Sequence, residues 1–229
     1  MKRFEDLPER FQTQSLKQYY DILQTKKATL FLKKMFDFSL SLILLVALSP
    51  IFLILALAVK FTSKGEIIFK QKRVGVYGKE FYVLKFRTMV KDAESLGKQI
   101  TVGERDPRIT SVGHFLRKFR LDEFPQLINV LKGEMSFVGA RPEVPYYVDF
   151  YTDEMMATLL TPPGITGTAS IYFKDEAKML EIEPDAEKCY INHILPVKMK
   201  MNLDYLKEIS VWYDIKLMFK TVFEVTSND

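Results

Sequence analysis

FSLSLILLVALSPIFLILALAV, residues 38–59, carries no charged side chain. As a helix, its roughly 22 residues at about 1.5 Å each reach about 33 Å, enough to cross the hydrocarbon core of a bilayer. Helices buried in soluble proteins rarely stay uncharged for so long. The run also begins too far into the chain, behind too many charges, for a cleavable signal peptide. Ser49-Pro50 falls at its midpoint. Proline has no backbone donor and clashes with the preceding turn, so it bends or breaks the helix there. Both flanks are basic, with Lys26, Lys27, Lys33 and Lys34 before the run and Lys60, Lys64, Lys70, Lys72 and Arg73 after it. The positive-inside bias then holds both ends in the cytoplasm. A helix that enters, breaks at Ser49-Pro50 and returns on the same side meets both observations. A kinked helix that crosses is the alternative on physical grounds, and either way the chain is a membrane protein.

The 229 residues suffice for one large domain or two small ones with a real core. A net charge of +4 suits anionic partners such as phosphates, membrane headgroups or nucleic acid, without choosing among them. Cys189 is the single cysteine, and His114 and His193 are the two histidines. These counts exclude an intrachain disulfide, a cysteine-based zinc cluster and a histidine-rich metal centre. All three residues read as structural. Residues 1–34 are polar with scattered Phe4, Phe11, Leu16, Tyr19, Tyr20, Ile22 and Leu23. They read as one or two amphipathic helices lying on the interface or as a soluble lead-in helix.

After the apolar run, EIIFKQKRVG and KEFYVLKFRTM flank Tyr77-Gly78 and read as a β-hairpin. Lys72, Arg73, Lys85 and Arg87 fall in its strands, either as a solvated face or as a cradle in which neighbouring cations converge on phosphate. Ser111 is the expected N-cap of a short helix to about Phe119, apolar at Val112, Phe115, Leu116 and Phe119. In LDEFPQLINVLKG, Leu127, Ile128 and Leu131 recur at helical spacing and Gly133 is a stop signal. Asp122, Glu123 and Pro125 then fall in the first turn, where the helix N-terminus favours ionised carboxylates. Acids there are commonly caps. Successive helix residues diverge by about 100°, so one acid can face a substrate while the other holds a cation. Arg117, Arg120 and Arg141-Pro142-Glu143 nearby suit a phosphate-bearing substrate with a divalent metal. Pro162-Pro163-Gly164 reads as a turn on the site's rim. Trp212, Ile215, Phe219, Val222 and Phe223 form a C-terminal stripe for the core or the membrane.

KRVGVYGKEFYVLKFRTM (72–89), DPRITSVGHFLRKFRLDEFPQLINVLKGEMSFVGARPE (106–143), PPGITG (162–167) and DIKLMFKTV (214–222) occur in that order. Over about residues 30–225 the chain resembles the bacterial sugar transferases that act as monotopic phosphoglycosyl transferases. The resemblance implies an α+β fold, mostly helical with a small β-hairpin, a re-entrant membrane helix broken at Ser49-Pro50, and interfacial amphipathic helices. It divides the chain into a lead-in (1–34), the re-entrant helix (35–62) and a cytosolic catalytic domain (63–229). It implies an enzyme of the cytoplasmic face of the bacterial inner membrane, both termini cytoplasmic, in the compact form that lacks an N-terminal membrane bundle. Asp122 matches the family's nucleophile, which attacks a UDP-sugar, expels UMP and passes the sugar phosphate to undecaprenyl phosphate. Glu123 matches the residue that binds Mg²⁺. Arg117 and Arg141 match arginines that neutralise phosphate, with Lys72, Arg73, Lys85 and Arg87 beside them. Pro142, Glu143, Gly164, Thr166 and Gly167 shape the pocket. Membrane lipids and downstream glycosyltransferases are the further partners, and nucleic acid is not. From Thr168 the chain reads TASIYFKDEAKML where the family has a Trp-Ala-Gln-Val-Asn-Gly-Arg-like run, so the sugar stays open. So do the glycan pathway (O-antigen, capsule, exopolysaccharide or glycoprotein glycan) and the oligomeric state, a homodimer included. Rival readings are a membrane-tethered phosphohydrolase and a non-catalytic membrane-surface adaptor.

Overall fold

The computed structural model describes residues 1–91, 93 and 106–226. Helix α1 (Gln14–Thr25) is capped by Thr13, whose hydroxyl accepts from the Leu16 amide at 3.4 Å. Its apolar side (Leu16, Tyr19, Tyr20 and Leu23) lies in the main core. The Tyr19 hydroxyl donates to Glu154 Oε1 at 2.6 Å. The body of the protein thus covers the apolar side of α1. An amphipathic stripe encodes that one face is covered, but not by what.

The uncharged run forms the second half of α2 (Lys27–Ala47) and most of α3 (Ser49–Thr62), which meet at a bend of 66°. Pro50 sits in the first turn of α3, where its missing N–H would have had no partner. Ser49 Oγ donates to the Val46 carbonyl at 2.8 Å, across the break. Neither helix alone is long and apolar enough to cross a membrane, whereas the bent pair passes by length and composition. Phe31, Ile43, Val46, Leu53, Ile54 and Phe61 are exposed on the pair, and Lys33, Asp37 and Ser41 are buried in α2. That is the reverse of a soluble amphipathic helix.

Strands β1 (Ile68–Val74) and β2 (Glu80–Phe86) form the expected antiparallel hairpin, with Lys72 opposite Tyr82 and Phe69 opposite Lys85. The turn uses left-handed φ at Tyr77 (57°) and Gly78 (74°). Arg87 falls one residue beyond β2 rather than inside it. Helix α4 (Ser111–Lys118) is capped by Thr110, not Ser111: the Thr110 hydroxyl accepts from Gly113 N at 3.0 Å. Helix α5 (Gln126–Leu131) ends near Gly133, at φ 75°.

A second, parallel pair, β3 (Ser136–Val138) with β4 (Gly164–Thr166), is not legible in the sequence. Three-residue strands carry too few positions to show a period. A Cβ on Gly164 would stand 2.1 Å from Gly139 N, so glycine is required where these segments cross. The remaining α-helices among the described residues are α6 (Pro145–Val148), α7 (Thr168–Tyr172), α8 (Glu176–Glu181), α9 (Ala186–Cys189), α10 (Leu195–Glu208) and α11 (Val211–Thr226). In α11 it is Asp214 and Leu217 that are buried; Trp212, Phe219, Val222 and Phe223 are exposed.

Buried polar contacts tie α2 to the body. Lys33 Nζ lies 2.5 Å from Asp214 Oδ2 and 3.8 Å from Asp37 Oδ2. Asp37 Oδ1 accepts from Phe137 N at 3.4 Å, and the Tyr205 hydroxyl donates to Asp214 Oδ1 at 2.6 Å.

Candidate active site

The acid pair does not open α5. Arg120 adopts a left-handed conformation (φ 56°), uncommon for a residue with a Cβ, and swings the chain out of α4 into a single 3₁₀ turn, Leu121–Glu123. Pro125 then caps α5. A 3₁₀ turn places successive side chains about 120° apart, so the two acids meet different surroundings. Both are buried, Asp122 at 8% and Glu123 at 9% exposure.

Glu123 is fully engaged. Arg141, 18 residues on, donates from Nη1 to Oε2 at 3.1 Å and from Nη2 to Oε1. Lys85 Nζ approaches Oε1 at 3.3 Å. Burial alone would raise the Glu123 pKa, but Arg141 and Lys85 outweigh it and hold the carboxyl well below the usual range. The Arg141 guanidinium is in turn pushed up by Glu123.

Asp122 accepts no hydrogen bond from any described residue. Its pKa is raised, first by burial and then by the neighbouring Glu123 charge, against the opposing pull of Lys85, Arg117 and Arg141. A carboxylate removed from water, unbonded and surrounded by cations is more basic than an exposed one. It is also free to approach an electrophile. That is the environment of an activated nucleophile.

The predicted cations divide by location. Lys85 and Arg73 share a face of the hairpin, as the register requires. Arg73 donates to the Pro142 carbonyl at 3.0 Å and lies 3.7 Å from Glu143. Arg117 Nε donates to Thr88 Oγ1 at 2.9 Å. Lys72 stands on the opposite face, half exposed, paired with Glu80 at 2.9 Å. Arg87 donates to the carbonyls of Ser63 (2.7 Å), Val59 (3.2 Å) and Glu66, closing the end of α3. Thr166 Oγ1 meets Thr221 Oγ1 at 2.8 Å, while Gly164 and Gly167 pack against Gly139. Ser49 and Pro50 lie at the helix break.

A neighbouring cluster joins Glu143 to residues outside the sequence motifs. The Tyr190 hydroxyl donates to Glu143 Oε1 at 2.6 Å, Lys198 Nζ lies 3.4 Å from the same oxygen, and Lys198 reaches Glu176 at 2.9 Å. Burial, reinforced by Glu143, pushes the Tyr190 pKa up. Only Glu143 stands in a recognisable motif. Glu176 brings the divergent segment after Gly167 to the wall of the same cleft. No group of three or more histidine, cysteine or acidic side chains converges among the described residues.

Asp122, Glu123, Lys85, Arg117, Arg141 and the Glu143 cluster all line one cleft of about 3290 Å³. Its polar end can hold a phosphate-bearing molecule against a free carboxylate. The sequence pattern of the bacterial sugar transferases matches residues 28–228, and the chain belongs to that family. It is 41% identical over 198 residues to the UDP-glucose:undecaprenyl-phosphate glucose-1-phosphate transferase of Escherichia coli (strain K12), covering 84% of this chain and 40% of that protein. To the undecaprenyl-phosphate galactose phosphotransferase of Salmonella typhimurium it is 33% identical over 218 residues, covering 89% and 42%. To the exopolysaccharide production protein ExoY of Sinorhizobium fredii it is 31% identical over 204 residues, covering 83% of each. The chain thus spans less than half the length of the first two relatives and most of the third.

Proposed function

We propose that the protein transfers a sugar 1-phosphate from a UDP-sugar to a polyprenyl phosphate, of the undecaprenyl type named for its relatives, with Asp122 as nucleophile. The observation that carries this reading is the contrast within the acid pair: Glu123 is held ionised by Arg141 and Lys85, and Asp122 keeps both oxygens free beside the same cations.

In the first half-reaction an Asp122 oxygen attacks the β-phosphorus. The new O–P bond forms as the bridging P–O bond breaks, and its electron pair leaves on UMP. Arg117, Arg141 and Lys85 offset the charge repulsion between carboxylate and diphosphate. In the second, a phosphate oxygen of the lipid attacks the same phosphorus. A diphosphate linkage forms, the aspartyl–phosphorus bond breaks and the carboxylate is restored. Two half-reactions let a water-soluble donor and a lipid acceptor use one carboxylate in turn.

Mg²⁺ is commonly held by one or two carboxylates plus substrate phosphates, and the carboxylates at this site are Asp122, whose oxygens are unbonded, and Glu123, whose oxygens are bonded to Arg141 and Lys85. Glu123, exchanging one of its cationic partners, would hold it beside Asp122. Bound there, it would neutralise diphosphate charge.

The exposed apolar side of the α2–α3 pair is read as a re-entrant anchor on the cytoplasmic face of the bacterial inner membrane. The exposed Trp212, Phe219 and Phe223 of α11 lie beside exposed Lys216 and Lys220, as on an interfacial helix.

The test uses this 229-residue chain with Mg²⁺ and a panel of UDP-glucose, UDP-galactose and UDP-N-acetylgalactosamine. One of them releases UMP and adds the mass of one sugar phosphate to the chain, and decaprenyl phosphate then discharges it. Release of free sugar phosphate without lipid would instead identify a hydrolase. Single cysteines placed before residue 34 and after residue 64 should both resist periplasmic reagents; labelling of one alone would mean a full crossing.

A further inference from the structure

Resting on that transfer reading, we infer that Glu176 determines which donor sugar is accepted and that Lys198 is the positioning residue that holds it. Lys198 ties the wall formed by the segment after Gly167 to Glu143, and through it to Arg141.

That wall depends on tertiary contacts for its place. Helices α7 and α8 are five and six residues long, well below the roughly 12 residues at which a helix begins to hold by itself in water. Ile171, Phe173 and Leu180 anchor the segment in the main core. Ser170, Lys174, Glu176 and Lys178 line the cleft. There the segment meets a buried cation: Lys198 of α10 is 7% exposed, with Nζ 2.9 Å from Glu176 Oε2.

Lys198 has a second carboxylate to hold. Its Nζ lies 3.4 Å from Glu143 Oε1 and donates to the Tyr190 hydroxyl at 3.1 Å, and that hydroxyl donates to Glu143 at 2.6 Å. Tyr190 opens a short π-helical stretch, Tyr190–Ile194, a distortion frequent at functional sites. Glu143 stands two residues from Arg141, and the backbone there is fastened to the hairpin. The Pro142 carbonyl accepts from Arg73 at 3.0 Å and the Glu143 carbonyl from the Val74 amide at 2.9 Å. A series of contacts thus runs from Glu176 through Lys198 and Glu143 to the strand that carries Arg141, which grips Glu123. Without Lys198, Glu143 and Glu176 would repel each other and move the wall away from the phosphate cations.

The charges sort the parts of the donor. Lys85, Arg117 and Arg141 attract the diphosphate, whereas a carboxylate repels it and accepts from hydroxyls. Glu143 is covered, but the Glu176 side chain is 28% exposed. A UDP-sugar offers hydroxyls on its ribose and on the sugar to be transferred. The transferred sugar is borne by the phosphorus that Asp122 attacks, and the ribose lies one phosphate further away. The series of contacts from Arg141 therefore ends beside the sugar. An uncharged hexose fits, and an acidic sugar does not.

Binding is measured by calorimetry on the 229-residue chain in an Asp122→Asn background, with Mg²⁺ and UDP-glucose, UDP-galactose, UDP-N-acetylgalactosamine or UMP. Glu176→Gln should weaken the preferred UDP-sugar about tenfold, as for loss of a charged hydrogen bond. It should narrow the preference over the other two at least threefold and leave UMP within twofold. An equal loss for all three sugars, a parallel loss for UMP, or no loss would each overturn the assignment. Lys198→Met should give the same pattern, and adding Glu176→Gln to it should cost nothing more, since the two act as a pair. Additive losses would overturn the tie. Because a buried lysine variant can fail to fold, hydrogen exchange is read in Glu176→Gln. Its α8 amides should exchange at least fivefold faster while those of α5 are unchanged. Unchanged exchange in α8 would overturn the tie whether or not any UDP-sugar binds. If the wild-type chain gained no sugar phosphate, the transfer reading would fail, and the exchange result would still decide the tie.

Discussion

Two buried ionic clusters in this molecule each set a pair of carboxylates against cations and are completed differently. At the junction of α2 and α11, Lys33 lies between Asp214 and Asp37, and each carboxylate has a further donor, Tyr205 for one and the Phe137 amide for the other. In the cleft, Lys85 and Arg141 close on Glu123, and Asp122 remains with charges around it but no hydrogen bond. A closed network fixes the position of what it joins, here α2 against the strand that leads to Arg141. An open one leaves a group at elevated free energy, able to react. Substitutions that open the first or close the second should therefore have opposite consequences.

The largest effect is expected at Asp122. Asp122→Asn should lower UMP release at least about a thousandfold, as for other nucleophile deletions. Its thermal midpoint should not fall, because no hydrogen bond is lost and a buried charge is removed. A substantial drop in midpoint would show that Asp122 belongs to a closed network after all.

Lys33→Met should do the reverse. Removing one partner from a buried pair leaves uncompensated charge and costs about 3–5 kcal/mol. Chemical denaturation in detergent would measure it, and adding Asp214→Asn should recover part of the loss. If the single variant were as stable as wild type, the junction would not be a fixing element.

Arg87→Met distinguishes a helix cap from a phosphate cradle. Loss of its charged hydrogen bonds to the end of α3 should cost about 2 kcal/mol. The KM for UDP-sugar of the folded fraction should stay within twofold, and a tenfold rise would return Arg87 to the substrate.

The two acids should also separate by pH. The depressed Glu123 pKa contributes stability that is present above its unfolded value and lost only as pH falls through the folded one. The raised Asp122 pKa works in the opposite sense, its ionisation opposing folding as pH rises above the ordinary aspartate range. Acceptor-free UMP release should accordingly lose about tenfold per pH unit below an apparent pKa higher than that of an ordinary aspartate, while the fold persists. A limb at or below the ordinary value would remove the argument for an activated carboxylate. Lys72→Ala, at the half-exposed pair with Glu80, should change neither activity nor thermal midpoint measurably.

Much of this fold is legible in the sequence, for reasons that are local. The uncharged run and its Ser49-Pro50 break, the hairpin around Tyr77-Gly78 and the helix after Pro125 each follow from backbone geometry and side-chain period within a short stretch. The acid pair stands out as well, but its setting does not. Glu123 and Asp122 look alike in a sequence, and nothing local announces that Arg120 adopts a left-handed conformation or that Arg141 folds back onto one acid only. The cations after the uncharged run form one group along the chain, whereas the register sends Lys72 away from Lys85, and Arg87 serves α3.

Where the chain must bend, which stretch must avoid water and which residues are available to bear charge near phosphate were all written into the order of the amino acids. Those are properties of covalent structure and short-range sterics. Packing settled the rest: which carboxylate would be left open, that α2 would bury Lys33, Asp37 and Ser41 while Phe31, Ile43 and Val46 stayed exposed, and that β3 and β4 would pair in parallel. Each of these depends on contacts between segments far apart in the chain, whose free energy exists only once those segments have come together.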